Sequence, residues 1–254
     1  MRSRKAELLS KTHNRMYGDL AHLWPLVSPP EGYGAEAAHW RAALRDKLGT
    51  GRHTILELGV GGGNNLSHLT SEFDAVAVDV SGKMLAHSRR LNPSVEHHIG
   101  DMRNIRLGRK FNAVLIHDAI SYMLTEQDLR ATFATAAAHL NPGGVFITAP
   151  DVFRETFHWP FVTERAHQKG NEGLALLEFG YDPDPTDTMT QSLFVYLIRA
   201  RGQLKVEYDE HTFGLFPIGT WVRLMSDAGF EVEKRPYPVH EDHREAYLLV
   251  GTLR

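Results

Sequence analysis

Apolar residues along the chain fall into short runs that alternate with stretches of helical period, the pattern of an open α/β sheet. The runs Ile55–Leu58, Asp74–Asp79, Val95–Ile99, Ala113–Ile116 and Val145–Ala149 predict five strands. Helical patterns follow Asn64 (with Leu66 and Leu69 on one face) and Ser81, and Thr125-x-x-Asp128 reads as a capping box for a helix over Glu126–Leu140. Residues 150–215 leave this pattern. Leu174–Tyr181, Thr188–Arg199 and Gln203–His211 read as extended, with Pro183-Asp184-Pro185 and Arg201-Gly202-Gln203 as turns, which predicts a small antiparallel lobe. The alternation resumes with a helix over Ile218–Ala228 capped by Gly229, then strands Phe230–Arg235 and Glu245–Thr252, for seven strands in all. Ahead of the first strand, residues 3–23 carry Leu8, Leu9, Met16, Leu20 and Leu23 at helical spacing up to Trp24-Pro25, and a second helix runs from Tyr33 to Leu48 before Gly49.

The first strand and its turn are the most informative stretch. An acid, Glu57, sits inside the apolar run, which breaks at Gly59; Gly61, Gly63 and the N-capping type Asn64 then lead into a helix. Strand, tight turn and helix make the first crossover of a parallel sheet, where ligands bind at the carboxyl ends of strands. The second strand ends in Asp79, about 20 residues past the first glycine, where an acid suits the hydroxyls of a ribose. A nicotinamide oxidoreductase would offer the same acid, but the register Gly59-x-Gly61-x-x-Asn64 lacks its third glycine.

What stands instead, Glu57-x-Gly59-x-Gly61-x-Gly63, resembles the class I S-adenosylmethionine (SAM)-dependent methyltransferases. The resemblance implies a Rossmann-like seven-stranded mixed sheet, here with an inserted antiparallel lobe and an N-terminal helical lid. It divides the chain into a lid (1–49), a SAM-binding core (50–150), a lobe over the acceptor site (151–215) and the C-terminal part of the core sheet (216–254). It assigns SAM to Glu57, Gly59, Gly61, Gly63, Asn64, Asp79, Val80 and Met84, and to Asp101 and Met102 of Gly100-Asp101-Met102-Arg103, which is similar to the family's adenine loop. Tyr17 and Tyr33 are expected either as walls of the cofactor site or as packing within the lid.

After the fourth strand comes His117-Asp118-Ala119-Ile120-Ser121-Tyr122, without the Asn/Asp-Pro-Pro-aromatic signature of base methylation. His117 reads as a general base or as a cofactor contact, Asp118 and Tyr122 as groups that place the acceptor, and His211 of the lobe as a second, more distant base. Over residues 33–230, including Leu107-Gly108-Arg109-Lys110-Phe111 and the aromatic stretch 153–161, the chain resembles the N-methyltransferases of antibiotic biosynthesis. Those enzymes methylate the amine of nucleotide-linked deoxyamino sugars; the departure lies in His117–Ile120, where the family carries small residues. The expected reaction is in-line methyl transfer to a small-molecule amine or hydroxyl. A non-catalytic SAM-binding regulator would keep the cofactor motifs yet have no use for the aromatic stretch.

Composition bounds the partners. A net charge of -3 and a pI near 6.6 give no footprint for nucleic acid or anionic membrane. The amino terminus lacks an apolar signal region, and no run approaches the ~18 apolar residues of a membrane span, so a cytoplasmic protein is expected. A homodimer is the assembly left open. With 0 cysteines there are no thiolate sites. Fifteen histidines raise the question of metal, but adjacent His97 and His98 would point to opposite strand faces, and His240-x-x-His243 has no evident third ligand.

Overall fold

A computed structural model describes residues 13–239 and 245–254 of the chain. Its strands are β1 (His53–Leu58), β2 (Phe73–Asp79), β3 (Glu96–Ile99), β4 (Phe111–Ile116), β5 (Leu140–Thr148), β6 (Phe161–Lys169), β7 (Glu172–Tyr181), β8 (Met189–Ala200), β9 (Gln203–Gly214), β10 (Phe230–Pro236) and β11 (Tyr247–Leu253). They form two sheets, a seven-stranded one ordered β10-β11-β5-β4-β1-β2-β3 and a four-stranded one ordered β6-β7-β8-β9. Two compact units follow. One comprises Pro30–Phe157 and Gly214–Arg254; the other joins the described residues up to Pro29 to His158–Phe213.

In the larger unit β1 pairs in parallel with β2 and β4, and only β11 runs antiparallel to its neighbours β5 and β10. Strands at such a centre are covered on both faces, which is why they read as continuous apolar runs. One face packs Leu56, Leu58, Val76 and Val78 with Phe133, Phe146, Trp221 and Phe230; the other packs Ile55, Ala77 and Leu115 with Trp40, Leu44, Leu66 and Leu85. Burying side chains of this size stabilises the fold by about 1.5–3 kcal/mol each. The helices Gly34–Leu48, Gly82–Leu91, Glu126–Ala138 and Ile218–Asp227 supply the covering stripes. Thr125 caps the third of these by accepting from the Asp128 amide, and Ser81 caps the second by accepting from Met84.

The smaller unit packs Met16, Leu20, Leu23, Leu174, Leu176 and Tyr196 on one face of its sheet. The four-stranded sheet has one strand more than the pattern predicts. In β6 the residues Val162–Ala166 are exposed, so no apolar alternation marks it, and Glu164 and Arg165 suit an edge strand.

Other expectations shift for local reasons. Trp24–Val27 forms a helix with Pro25 in its first turn, where a missing N–H is harmless, so Trp24-Pro25 opens a helix. Gly63, not Asn64, is the N-cap of Asn64–Ser67, which is a single turn. Residues 141–144, between the expected helix and strand, are absorbed into β5, with a register irregularity between Phe111 and Ala113. Helix Gly34–Leu48 buries Ala37, Trp40, Ala43 and Leu44 and belongs with the large sheet, apart from residues 13–29, with which it was expected to form one lid. Leu8, Leu9 and the His240/His243 pair lie outside the described residues. His97 is held by Ser88 (2.8 Å) and the Val95 carbonyl (2.8 Å), and His98 by Glu96 (2.6 Å).

Gly63 is the tightest point of the first turn. Its φ is +79°, and a Cβ there would lie 2.4 Å from both Ser88 Oγ and Asn92 Nδ2. Gly63→Ala is expected to cost about 1–3 kcal/mol in urea unfolding. Gly108→Ala, at φ +70° but with open space around it, carries only the backbone part, about 1–2 kcal/mol. Equal losses at the two positions would show that Ser88 and Asn92 yield freely.

Candidate active site

The site is assembled at the carboxyl ends of β1, β2 and β4. The turn after β1 folds back on β2: the Gly59 and Val60 amides both donate to the Val78 carbonyl, at 2.8 and 3.0 Å. The Gly61 amide donates to Asp79 Oδ2 at 2.8 Å, and the Ser81 amide to Oδ1 at 2.7 Å. Burial pushes the Asp79 carboxyl up, and these two amides pull the other way without cancelling the rise. Gly59 has φ +74°, and a Cβ on it would come within 2.5 Å of Ala119 Cβ and 2.8 Å of Met102 Cε. Gly61, at φ +54°, faces Met84. Gly59 thus lets Ala119 and Met102 pack directly against the backbone of the turn.

Glu57 lies on the same strand face as Ile55 and is only 2% exposed. Its Oε2 has no hydrogen-bond partner. Burial raises its carboxyl to about 8, with Asp118 and Asp79 adding to the rise and His117 opposing it. A buried carboxylate oxygen left without a donor is costly, so this one is a vacancy for a cationic group. At the ends of β2 and β3, Val80 is 66% and Ile99 67% exposed, and Asp79 and Ile99 are register partners. Two uncovered apolar side chains beside the ribose acid suit a planar ring. Asp101 accepts from Arg103 at its backbone amide (2.9 Å) and guanidinium (2.6 Å), which holds the carboxyl below its ordinary value. Buried Asn64 stands at the start of the one-turn helix.

At the end of β4, His117 is nearly buried and meets partners the sequence did not announce. Its Nε2 lies 2.9 Å from Glu36 Oε2 and 3.2 Å from the Tyr237 hydroxyl; its Nδ1 lies 3.2 Å from Asp118 Oδ1. Trp40 Nε1 donates to the same Tyr237 hydroxyl at 2.9 Å, and the rings of Trp40 and Tyr33 stand 5.2 and 6.4 Å from the imidazole. Burial alone would lower the His117 pKa; Asp118 and Glu36 outweigh it and hold the ring well above the ordinary histidine value. A base that titrates at the ordinary value is not what this setting supplies. Glu36 and Trp40, one turn apart on helix Gly34–Leu48, and Tyr237 after β10 carried no motif of their own; only the fourfold spacing of the first two could have paired them.

Tyr122 closes the 3-10 segment Asp118–Tyr122 and packs partly buried against the core. The aromatic stretch divides: Phe153 is buried against Trp221 and Tyr247, while Trp159 is 51% exposed. Tyr17 and His211 belong to the smaller unit, with ring centroids 5.6 Å apart. There His211 Nε2 lies 2.8 Å from Asp209 Oδ2, which also accepts the Met16 amide at 2.7 Å. His211 lines a cavity of about 220 Å³ with His13, Phe179, Tyr181 and Glu210.

A family described as methyltransferase domain matches residues 55–144. An N,N-dimethyltransferase of dTDP-3-amino-3,6-dideoxy-alpha-D-glucopyranose from Streptomyces fradiae is 31% identical over 229 residues, 86% of each chain. A Streptomyces venezuelae relative, the N,N-dimethyltransferase of dTDP-3-amino-3,4,6-trideoxy-alpha-D-glucopyranose, is 39% identical over 127 residues, spanning 49% of this chain and 53% of that protein. The crystal structure of Streptomyces venezuelae DesVI superposes with a TM-score of 0.79 at 29% identity, covering 87% of this chain and 92% of that one. Sheet order, glycine turn and paired acids are those of a class I SAM-dependent methyltransferase, and the oxidoreductase and regulator readings fall away. Within that class the chain belongs to the small-molecule N-methyltransferases of the nucleotide-deoxyaminosugar type. SAM is its cofactor, and the residues present fit it. The unpartnered Glu57 oxygen suits the ammonium, Asp79 the ribose, and the exposed Val80 and Ile99 the rest of the nucleoside.

With the cofactor's ammonium on Glu57, cofactor binding is expected to be proton-linked. In ligand-free protein the Glu57 carboxyl is protonated below about pH 8, and an ammonium beside it favours the ionised form. SAM binding is expected to release a proton near neutral pH, seen by calorimetry as an enthalpy that varies with the buffer's ionisation heat. Affinity should strengthen with rising pH, by at most about tenfold per unit, and level off near pH 8. Glu57→Gln abolishes both effects. The same shift sets the sign for stability. The folded carboxyl is raised above its unfolded value of 4.5, so no penalty exists below that pH, and one accrues as pH climbs to about 8. A ligand-free Glu57→Gln protein that is no more stable than wild type at pH ~8 would refute the buried charge.

Proposed function

We propose that this chain methylates the amino group of a nucleotide-linked deoxyamino sugar. The observation that carries the reading is the 31% identity to the Streptomyces fradiae amino-sugar enzyme over 86% of both chains. When bound, SAM supplies a methyl carbon already activated by its sulfonium, which leaves alignment and exclusion of water as the protein's task. Such alignment can account for roughly 7–11 kcal/mol of barrier. Asp118, 53% exposed and held ionised mainly by His117 against the cost of its desolvation, is the carboxylate suited to accept a hydrogen bond from the acceptor's N–H. Tyr122 and Tyr33 are assigned to the acceptor's surroundings. The amine attacks as the neutral base and becomes the methylated ammonium, which sheds its proton to solvent; an acceptor that arrives as the ammonium must first lose one proton. The compartment we assign is the cytoplasm.

The test is incubation with SAM and a panel of dTDP-linked sugars that differ only in bearing an amino or a hydroxyl group at one carbon. Mass spectrometry should find one or two methyl groups added to the amino sugars and none to their hydroxyl counterparts. Methylation of the hydroxyl sugars alone would overturn the assignment.

We also infer a homodimer built on the four-stranded sheet. Pairing places Leu177, Phe179, Leu193, Val195 and Leu197 on the face opposite Leu174, Leu176 and Tyr196. Leu177 and Leu197 are 40% and 43% exposed, and β9 exposes Leu204, Val206 and Tyr208 at 71%, 49% and 55%. An uncovered apolar face of this kind is unusual in a monomer. Sedimentation equilibrium should give twice the chain mass for wild type and the chain mass for Leu177→Lys/Val206→Lys. A monomeric wild type at micromolar concentration refutes the dimer.

A further inference from the structure

The environment of His117 implies a role that neither the cofactor motifs nor the reaction requires. A neutral imidazole has one N–H and one acceptor nitrogen. Here Nδ1 faces the Asp118 carboxylate at 3.2 Å and Nε2 faces the Glu36 carboxylate at 2.9 Å, and an ionised carboxylate can only accept. Both contacts are hydrogen bonds only if the ring carries both protons. The Tyr237 hydroxyl, 3.2 Å from Nε2, also lies 3.4 Å from Glu36 Oε2 and accepts from Trp40. The remaining titratable neighbours are Glu57 on β1, which interacts electrostatically with the ring, Tyr33 beside it, and His39, whose ring meets Tyr237 edge-on at 5.6 Å. Trp40 shares its apolar cluster with Ile55 and Val60, the strand and turn that frame the cofactor.

We propose that His117 is a doubly donating, charged clasp that fastens helix Gly34–Leu48 and the Tyr237 segment to the end of β4, and that Glu36 and Tyr237 are positioning residues for the SAM turn. The direction of its proton affinity agrees: burial alone would strip the ring of its proton, and the two carboxylates retain it. The clasp has the opposite pH sign to a general base. A base acts when neutral and gains as pH rises through its pKa. The clasp is fully present below the ordinary histidine value of about 6.5 and is lost as pH rises through the raised folded value. The proposal rests on the chain binding SAM and is independent of the acceptor's identity.

Trp40, 5.2 Å from the ring, is a built-in reporter, since a charged imidazole quenches a neighbouring indole. In ligand-free protein the Trp40 emission, taken as wild type minus Trp40→Phe, should stay quenched through the ordinary histidine value of about 6.5 and recover only at higher pH. Glu36→Gln keeps an acceptor at Nε2 but removes its charge. It should lower the recovery midpoint by about one pH unit or more and weaken SAM binding about tenfold at pH ~7 by calorimetry. If circular dichroism shows that Glu36→Gln does not fold, Asp118→Asn on the opposite nitrogen has to give the same downward shift. Recovery centred at or below pH ~6.5 in wild type, or a midpoint and SAM affinity unmoved by the substitution, overturns the clasp. Neither readout uses a methyl acceptor, so the clasp can fail while the amino-sugar assignment stands, and the reverse.

Discussion

Two backbone amides donating to one carbonyl hold the site together. Because Gly59 and Val60 both reach the Val78 oxygen, the chain leaving β1 turns across the end of β2 instead of running on. That turn is available only to a backbone that tolerates positive φ, and it aims the next amide, Gly61, at the Asp79 carboxylate. Parallel pairing of β1 with β2 in fixed register brings Leu58 opposite Val78, so a slip of one residue would turn Asp79 and Val78 to the opposite faces of the sheet. The cofactor cradle is thus a consequence of strand register, with glycine as the permissive element.

The same geometry concentrates charge. Glu57, Asp79 and Asp118 influence one another electrostatically at the ends of β1, β2 and β4, where burial already opposes ionisation. An empty site of this kind is a store of unfavourable electrostatics, relieved in two ways: protonation of Glu57 and a positive ring at His117. A ligand bearing both an ammonium and a sulfonium is matched to that field, whereas a dinucleotide, with its anionic phosphates, is opposed by it. The field of these acids therefore favours one cofactor class over the other.

Much of this was legible in the chain because it is local. The glycine turn, Glu57 and Asp79 lie within one crossover, and strand–turn–helix spacing places them together without knowledge of the rest. The seven strands of the large sheet and three of the lobe's four were readable from runs and turns for the same reason. Reading failed where packing overrode local preference. Asn64 is an N-capping residue type, yet Gly63 takes the cap because the turn demands left-handed backbone there. Pro25 looks like a stop but sits where a helix start tolerates it. The exposed edge strand β6 has too little apolar pattern to announce itself.

His117 marks the boundary most sharply. An imidazole next to an aspartate at a strand end reads as a base, since that pair alone leaves one nitrogen for a substrate proton. What decides between base and fixed charge is the occupant of that second nitrogen, and here it is Glu36, some eighty residues upstream, backed by Tyr237 far downstream. Neither lies in a motif, and both are brought in by the packing of helix Gly34–Leu48 and the chain after β10 on one face of the sheet. A side chain's chemistry in such a site is set by its farthest partner in sequence, because the nearest one is common to every reading.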